Sequence, residues 1–317
     1  MSSNDFNLLG HKIEKGKGAI LEFEVAKLHT RNSLKTTIIV ERAKQDGPTV
    51  LLMGGIHGDE VNGVAILRDI IRKKYNIPNR GTIICIPVFN VFGYLFMSRE
   101  FPDGRDLNRM FPGSPNGSLA SQFANKFTKE IAPIFDYVVD FHTGGAERDN
   151  FPNIRCVLSE KKAFELANIF GAPYIINSKY IPKSVRSIIH KLGKTILLFE
   201  GGKSLTIDES VINCGVEGAV NILKYLGLRD GEPKIVNKSV IIKRSKWLRA
   251  PHSGMLRRYV ENGSWVKKKT ILAEITDPYV EFQRKIVAPF DCYIFGLNTI
   301  STVNKGDALF HISVETL

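Results

Sequence analysis

The sequence predicts an α/β protein with an open mixed sheet covered by helices on both faces, followed by a small all-β domain. Residues 36–230 alternate short apolar runs, typical of buried strands, with segments whose apolar residues recur at helical spacing. Beyond residue 230 the helical spacing stops, and turn residues separate short strand-like segments. Strands that alternate with helices favour a sheet with helices on both faces, because each helix buries its apolar side against the sheet.

The elements between residues 36 and 230 follow this alternation in order. Residues 49–53 (TVLLM) form an apolar run that stops at two glycines, and residues 60–75 follow with apolar side chains at helical spacing. A strand is predicted at 82–88, a helix from 119 and a strand at 137–141. The alternation continues through the segments 154–158, 161–170, 174–176, 184–192, 195–199 and 209–226.

The C-terminal part contains an internal similarity. Residues 231–237 have the composition of a linker. Residues 250–275 and 288–312 then each run Ala-Pro, turn, strand, Val-x-Lys, strand. A duplicated half-motif of this kind suits a small closed β-sandwich or barrel. We therefore predict two domains, an α/β domain at 1–230 and a β-domain at 231–317.

Composition indicates a soluble protein with a cytoplasmic location. Hydrophobic residues make up 43% of the 317 residues and charged residues 24%. There is no apolar stretch of about 18–20 residues and no signal-peptide pattern, so no membrane partner is expected. The four cysteines form no CxxC pair, which favours buried small hydrophobes over disulfides or a cysteine-rich zinc site.

The formal net charge is +12, and much of it lies between residues 233 and 270, where Glu261 is the single acid. A basic patch can bind nucleic acid or an acidic partner, and it can equally be a solvated face. No aromatic stacking pattern accompanies it, so we expect a solvated face and keep the binding protein as an alternative. The basic residues are Lys234, Lys238, Lys243, Arg244, Lys246, Arg249, Arg257, Arg258, Lys267, Lys268 and Lys269.

The segment GGIHGDE, residues 54–60, is the strongest local signal for chemistry. His57 and Glu60 stand three apart between a strand and a helix, so both can point to one spot. Imidazole and carboxylate together suit zinc, and a catalytic zinc needs three protein ligands. The spacing alone is not specific, because His11 and Glu14 share it in a lysine-rich stretch that we interpret as surface.

His142 is the candidate third ligand. It closes YVVDFH at the carboxyl end of a buried strand, and in open α/β sheets ligands bind beyond such ends. Asp140, two residues earlier on the same strand face, is either a partner that orients an imidazole or a capped loop aspartate. The remaining histidines that we considered are interpreted as surface or core residues: His29, His190, His252 and His311.

Two further features suggest catalysis and substrate binding. Glu200 ends the apolar run TILLFE before two glycines, where a carboxylate can act as general base or as a structural acid. The loop DGRDLNRMFPG, residues 103–113, brings Arg105, Asn108 and Arg109 together, and guanidinium groups bind carboxylates bidentately.

Taken in order, GGIHGDE, DLNRMFPG, DFHTGG and FEGG resemble the succinylglutamate desuccinylase/aspartoacylase family, a branch of the zinc carboxypeptidase-like fold. The resemblance covers roughly residues 36–315, and the C-terminal part is similar to that of bacterial deacylase-like members. One departure is GDE, where aspartoacylases commonly have GNE.

The resemblance implies one Zn²⁺ per chain, held by His57, Glu60 and His142, with Glu200 as general base and acid. It implies that Arg105, Asn108 and Arg109 bind the substrate carboxylate, or that Arg105 polarises the scissile carbonyl. The chain is then expected to be an amidohydrolase that uses zinc-bound water to cleave small N-acylated amino acids or related amides.

Several alternatives stay open at this point. A metallocarboxypeptidase acting on short peptides would use the same ligands, and cobalt or another divalent ion could replace zinc. A homo-oligomer is compatible with the sequence. A tyrosine that closes the site cannot be chosen among Tyr259, Tyr279 and Tyr293.

Overall fold

The computed structural model describes residues 6–236 and 238–317. Residues 1–5 and Asn237, which the predicted domains and linker include, lie outside this part of the chain. The elements up to residue 144 are β1 (Phe6–Leu8), β2 (His11–Ile13), β3 (Gly18–Lys27), β4 (Ser33–Arg42), β5 (Gln45–Gly54), α1 (Val61–Arg72), β6 (Arg80–Ile86), α2 (Val91–Phe96), a 3₁₀ turn (Leu107–Arg109), α3 (Leu119–Glu130) and β7 (Tyr137–Gly144).

The remaining elements are β8 (Arg148–Cys156), α4 (Lys161–Phe170), β9 (Tyr174–Asn177), α5 (Val185–Lys191), β10 (Thr195–Lys203), α6 (Glu209–Tyr225), β11 (Val240–Arg249), β12 (Gly254–Arg258), β13 (Trp265–Val266), β14 (Ile271–Thr276), β15 (Gln283–Val287), β16 (Cys292–Asn298), β17 (Thr302–Val303) and β18 (Ala308–Thr316).

A 12-stranded mixed sheet organises the protein, in the order β3-β4-β6-β5-β7-β10-β8-β9-β11-β18-β16-β13. The strands β6, β5, β7 and β10 run parallel, whereas β4 and β8 flank them in antiparallel pairing. Because neighbouring parallel strands end at the same edge, the loops after β5, β7 and β10 come together there.

Helices cover both faces of this sheet. On β5, Val50 and Leu52 face the core shared with α1, α4 and α6, whereas Leu51 and Met53 face the core shared with α3 and α5. The two sets alternate because successive side chains of a strand point to opposite faces. The predicted mixed α/β class is confirmed.

Helix α3 shows how the sequence specifies these elements. Ser118 precedes it as a cap, its hydroxyl accepting from the Ser121 amide at 3.4 Å. Phe123 and Phe127, four residues apart, then lie on one buried face. The helix therefore begins at residue 119, as predicted.

The sequence did not predict the hairpin of β1 and β2, the hairpin of β3 and β4, or helix α2. The hairpin of β3 and β4 forms one edge of the main sheet, and α2 occupies only six residues, too few for a visible period. The α2 helix is capped by Asn90, whose side chain accepts from the Gly93 amide at 2.8 Å. It ends at Met97, where φ is 52° and the chain turns sharply.

The C-terminal β part contains a separate apolar core and a four-stranded sheet, β15-β14-β12-β17. Its other strands extend the main sheet: β11 pairs with β9 in parallel, and β16 pairs with β8 in antiparallel fashion. The C-terminal β part is confirmed, whereas its closure into a sandwich or barrel and the domain boundary at residue 230 stay predictions, since one sheet joins both halves.

Within residues 6–236 and 238–317, no helix has the length and apolar character that crossing a membrane requires. The four cysteines are free, and Cys85, Cys156 and Cys292 are buried, as predicted, while Cys214 is half-buried. Burial raises the pKa of the Cys85 thiol to about 12, so it packs as a small apolar group.

Candidate functional site

Three candidate ligands meet at the carboxyl edge of the sheet. His57 and Glu60 lie in the loop between β5 and α1, and His142 lies near the end of β7. One ligand atom from each lies within 4.8 Å of the others, and all three side chains are buried. Glu200 on β10 stands directly opposite His142 in the parallel register. The structure thus brings the ligand set predicted from sequence to one place.

The metal-ligand loop depends on a glycine for its position. A Cβ at Gly58 would lie 1.8 Å from the carbonyl carbon of Gly93 and 2.1 Å from the amide nitrogen of Tyr94. No side chain fits there, so the loop packs with its backbone directly against α2. His57 and Glu60 lie on either side of this contact in the chain.

Glu60 bridges the two histidines. Its Oε1 lies 2.7 Å from His57 Nδ1 and its Oε2 lies 2.9 Å from His142 Nδ1. The backbone amide of Thr143 also donates to Oε2 at 3.1 Å. Burial alone would raise the pKa of Glu60, but the adjacent imidazoles hold it well below its usual range. Glu60 is therefore a carboxylate suited to a cation.

A second carboxylate holds the far nitrogen of each imidazole. Asp106 Oδ1 lies 3.1 Å from His57 Nε2, and Asp140 Oδ2 lies 2.9 Å from His142 Nε2. With a cation bound between the histidines and Glu60, Nε2–H would donate to the carboxylate and Nδ1 would be the unprotonated ligand atom. The donor set, two Nδ1 atoms and a carboxylate with oriented rings, fits a zinc ion. The sequence suggests this role for Asp140, whereas it gives no such indication for Asp106.

Arg99 is a site residue that sequence reasoning missed. Its Nη1 donates to Glu60 Oε1 at 3.2 Å and its Nη2 to Asp106 Oδ2 at 2.9 Å. The turn at Met97 directs the chain from α2 back toward the ligands. The segment SREF carries no local motif, so this arginine is identified only by its partners in the folded protein, Glu60 and Asp106.

Arg105 does not enter the site. Its side chain is 51% exposed, and its Nη1 lies 3.7 Å from Asp103 Oδ2. The expected role of Arg105 in binding substrate or polarising a carbonyl finds no support in this geometry. Gly104 and Arg105 are exposed, whereas the side chain of Asp106, the next residue, contacts His57.

The three candidate ligands line a cleft with a volume of about 360 Å³, and Glu200 lines the same cleft. The Asn150 side chain donates to Glu200 Oε2 at 2.8 Å, and Arg155 Nε lies 3.6 Å from Oε1. A volume of this size suits a small molecule.

The cleft is rich in arginine. The predicted binding residues Asn108 and Arg109 both line it, and Asn108 Oδ1 also accepts from the Val185 amide at 2.9 Å, which anchors the start of α5. Further lining arginines come from separate segments that carry no common motif, and sequence reasoning missed them: Arg148, Arg155 and Arg186.

Arg186 is almost fully buried without a carboxylate among the described residues. It donates to the carbonyls of Ser178 at 3.0 Å and Arg155 at 3.1 Å. Burial, and then the charge of Arg155, lower its pKa. The cleft therefore combines a concentrated positive charge with few acids, as a site for an anionic ligand requires.

The tyrosines considered from sequence lie elsewhere. The Tyr259 hydroxyl donates to Glu274 at 2.8 Å, the Tyr293 ring packs against Tyr174, and Tyr279 is 80% exposed. None of the three is among the residues that line the cleft.

The basic stretch 233–270 is largely spread over β11 and β12 and the turns beside them. Several of its charges have partners within the protein: Lys243 and Arg244 both pair with Glu315, and Arg258 donates to the Asn298 carbonyl at 2.8 Å. These contacts agree with a solvated, internally paired face.

Comparison with known proteins adds to this geometry. Residues 46–226 match the family model of the succinylglutamate desuccinylase/aspartoacylase catalytic domain. An N-alpha-acetyl-L-2,4-diaminobutyric acid deacetylase from Halomonas elongata is 30% identical over 292 residues, covering 86% of this chain and 84% of that protein.

Solved structures show the same fold. A succinylglutamate desuccinylase/aspartoacylase from Rhodobacter sphaeroides superposes with a TM-score of 0.82 at 24% identity, and the product-bound ectoine utilization protein EutE from Ruegeria pomeroyi with 0.83 at 23%. Each comparison covers 95% of this chain and 96% of the other. With the catalytic-domain match spanning the ligand loop, His142 and Glu200, the chain belongs to the succinylglutamate desuccinylase/aspartoacylase family.

Proposed function

We propose that this protein is a zinc-dependent deacylase that hydrolyses the amide bond of a small N-acylated amino acid. The observation that carries the proposal is the convergence of His57, Glu60 and His142 within 4.8 Å in a cleft that Glu200 also lines. The name of the Halomonas relative describes deacetylation of an N-acetylated amino acid, which supports this reaction class.

The protein groups divide the chemistry among them. Bound zinc supplies a Lewis acid that activates water and the amide carbonyl. Glu200 accepts the proton of the attacking water and delivers it to the departing amine. Arg99, beside the ligands, donates to the carbonyl oxygen as negative charge develops there, the role that sequence reasoning gave to Arg105.

The arginines of the cleft support a substrate that carries a carboxylate. Arg109 and the amide of Asn108 are the groups we assign to that carboxylate, since guanidinium binds it bidentately. We do not assign the diaminobutyrate of the Halomonas relative to this protein. The cytoplasmic location and the homo-oligomer stay predictions.

Metal content tests the ligand assignment. Elemental analysis is expected to find about one zinc per chain in the wild type and a loss of metal in His57→Ala and His142→Ala. His11→Ala is the matched control, because His11 has the same spacing to an acid but is exposed on β2. Unchanged zinc in His57→Ala would remove the site assignment.

Turnover tests the mechanism and the rival activities. Glu200→Gln is expected to keep zinc and lose activity by about 100-fold or more.

A panel of N-acylated amino acids against short peptides separates a deacylase from a carboxypeptidase. A gel-shift series over salt concentration addresses the basic stretch, where salt-dependent binding would revive the nucleic-acid alternative.

A further inference from the structure

Strand β8 is irregular where it passes the general base. Asn153 of β8 stands opposite Glu200 of β10, and a regular antiparallel register would then bring Phe151 opposite Gly202. Asn150 stands opposite Gly202 instead, because β8 contains one extra residue at this point. A bulge of this kind re-aims the side chains of its strand. It brings an amide side chain, in place of an aromatic ring, into the cleft beside Glu200.

Asn150 forms a direct hydrogen bond to the carboxylate of Glu200. Its Nδ2 donates to Oε2 at 2.8 Å, and both groups are largely buried, Asn150 being 5% exposed and the Glu200 side chain 13%. Arg155 Nε lies 3.6 Å from Oε1, too far for a hydrogen bond. A hydrogen bond to an ionised acceptor is strong, and the more so where water is excluded. Asn150 therefore fixes one carboxylate oxygen and leaves the other to accept a proton.

The C-terminal β part lies on the other side of Asn150. On β16, Gly296 stands opposite Asn150. A Cβ at Gly296 would lie 3.2 Å from Asn150 Oδ1 and 3.0 Å from the Cβ of His311 on β18. Both distances are shorter than an ordinary van der Waals contact, so a side chain at this position would push the amide or the imidazole aside. The missing side chain at residue 296 thus keeps Asn150 in place.

The C-terminal part has no other direct route to the cleft among the described residues. The residues that line the cleft all lie between His57 and Glu200. Asn150 is the lining residue that pairs with β10, which carries the general base, and with β16 of the C-terminal part. A change in the position of β16 therefore reaches Glu200 through this amide.

We propose that Asn150 is a positioning residue for Glu200, and that the C-terminal β part acts on catalysis through the contact of Gly296 with Asn150. The amide holds Oε2, so that Oε1 faces the water and takes its proton before passing it to the departing amine. The inference rests on the proposed deacylase function and gives its C-terminal part a role in the chemical step.

Steady-state kinetics test the positioning. Asn150→Ala is expected to lower kcat on an N-acyl amino acid by about tenfold or more and to keep KM within about twofold, because the oriented base is needed in the transition state and not for binding. Asn150→Asp, which has nearly the same shape, removes the donor and adds a negative charge, so its kcat is expected to fall further.

The matched control is Asn213→Ala, at an exposed asparagine of α6, which is expected to behave as wild type. Zinc content is measured in each variant and is expected to stay at the wild-type value. A rise of KM in Asn150→Ala with kcat unchanged would make Asn150 a contact of the substrate and would overturn the inference.

A double-mutant cycle tests whether Asn150 acts through Glu200. In the Glu200→Gln background, Asn150→Ala is expected to change the residual kcat by less than about twofold, because residues that act as a unit are not additive. The same loss in both backgrounds would show that Asn150 acts independently of the general base, which contradicts the positioning role.

Gly296→Ala tests the contribution of the C-terminal part. Its Cβ displaces the amide, and kcat is expected to fall about threefold or more with KM kept, whereas in the Asn150→Ala background no further loss is expected. Gly306→Ala is the matched control, since it also lies in the C-terminal part but has open space around its Cβ direction. Equal losses from Gly296→Ala with and without the Asn150 side chain would refute the coupling.

NMR separates this inference from the proposed function. In zinc-loaded protein labelled with ¹⁵N-asparagine, the side-chain amide signal of Asn150 is the one lost in Asn150→Ala. Glu200→Gln is expected to shift this signal because its charged acceptor is removed, whereas Glu217→Gln, at an exposed acid of α6, should leave it in place. If no amide is cleaved but the signal responds to Glu200→Gln, the deacylase proposal fails and the positioning contact stands. A signal that does not respond to Glu200→Gln overturns the inference.

Discussion

The replacement Gly58→Ala tests whether the backbone contact between the ligand loop and α2 holds the metal site. The new Cβ would lie 1.8 Å from the Gly93 carbonyl carbon, whereas two carbons normally approach to about 3.5 Å. Loop or helix must therefore move by about 1.7 Å. Because the backbone fixes the position of Cβ and the atoms it meets belong to the backbone of α2, no rotamer change relieves the contact, and the cost lies at the upper end of overpacking, about 3 kcal/mol.

Two measurements follow from that displacement. The melting temperature is expected to fall by roughly 6–12 °C, from about 2–4 °C per kcal/mol in large domains. Zinc affinity, measured by competition with a chelator, is expected to fall by about 10- to 100-fold, as when the supports of a ligand are disturbed.

Gly104→Ala is the comparison that separates collision from backbone strain. Gly104 has φ of 73° but open space around its Cβ direction. Its replacement is expected to cost about 1 kcal/mol and to leave zinc affinity at the wild-type value. If Gly58→Ala matched Gly104→Ala in both stability and zinc affinity, the close approach to α2 would not be what positions His57 and Glu60.

Three further predictions concern the surroundings of the site. Asp106→Asn is expected to weaken zinc binding by about tenfold or more, since the carboxylate that orients the first histidine is lost, and chelator competition measures it. Arg99→Gln is expected to lower kcat on an N-acyl amino acid by about 100-fold while Arg105→Gln leaves it near wild type, and the reverse order would return the catalytic role to the outward-facing arginine. Burial, and then the charges of Arg155 and Arg148, lower the pKa of His311 from 6.5 to about 3 in the folded protein, so the contribution of this residue to stability is fully present above pH 6.5 and is lost as pH falls toward 3. His311→Gln is expected to flatten this decline by up to about 1.4 kcal/mol per pH unit in denaturant titrations, and an unaltered slope would contradict the assignment.

Much of the fold was predictable because the spacing of apolar residues within a few positions distinguishes strands from helices. The run 49–53 and the spacing of Phe123 and Phe127 report strand and helix directly. Helix α2 was not predicted, because six residues are too few to show a helical spacing of apolar residues. The strands β3 and β4 were not predicted, because they form an edge hairpin outside the α/β alternation.

The candidate ligands were predictable for a related reason. His57, Glu60, His142 and Glu200 each follow an apolar run, and parallel strands deliver their carboxyl ends to one edge. Arg105 shows the limit of local reasoning: it stands beside the right motif, but its side chain is 51% exposed and is not among the residues that line the cleft.

The sequence by itself determined the α/β class and the edge of the sheet at which the candidate ligands meet, because each depends on residues within one element or at its end. Only the tertiary structure decided which charges surround those ligands. The contact of Arg99 with Glu60 and the stack of Arg148 on Trp247 join segments far apart in the chain. Such contacts depend on how strands pair and loops pack, and no local spacing encodes them.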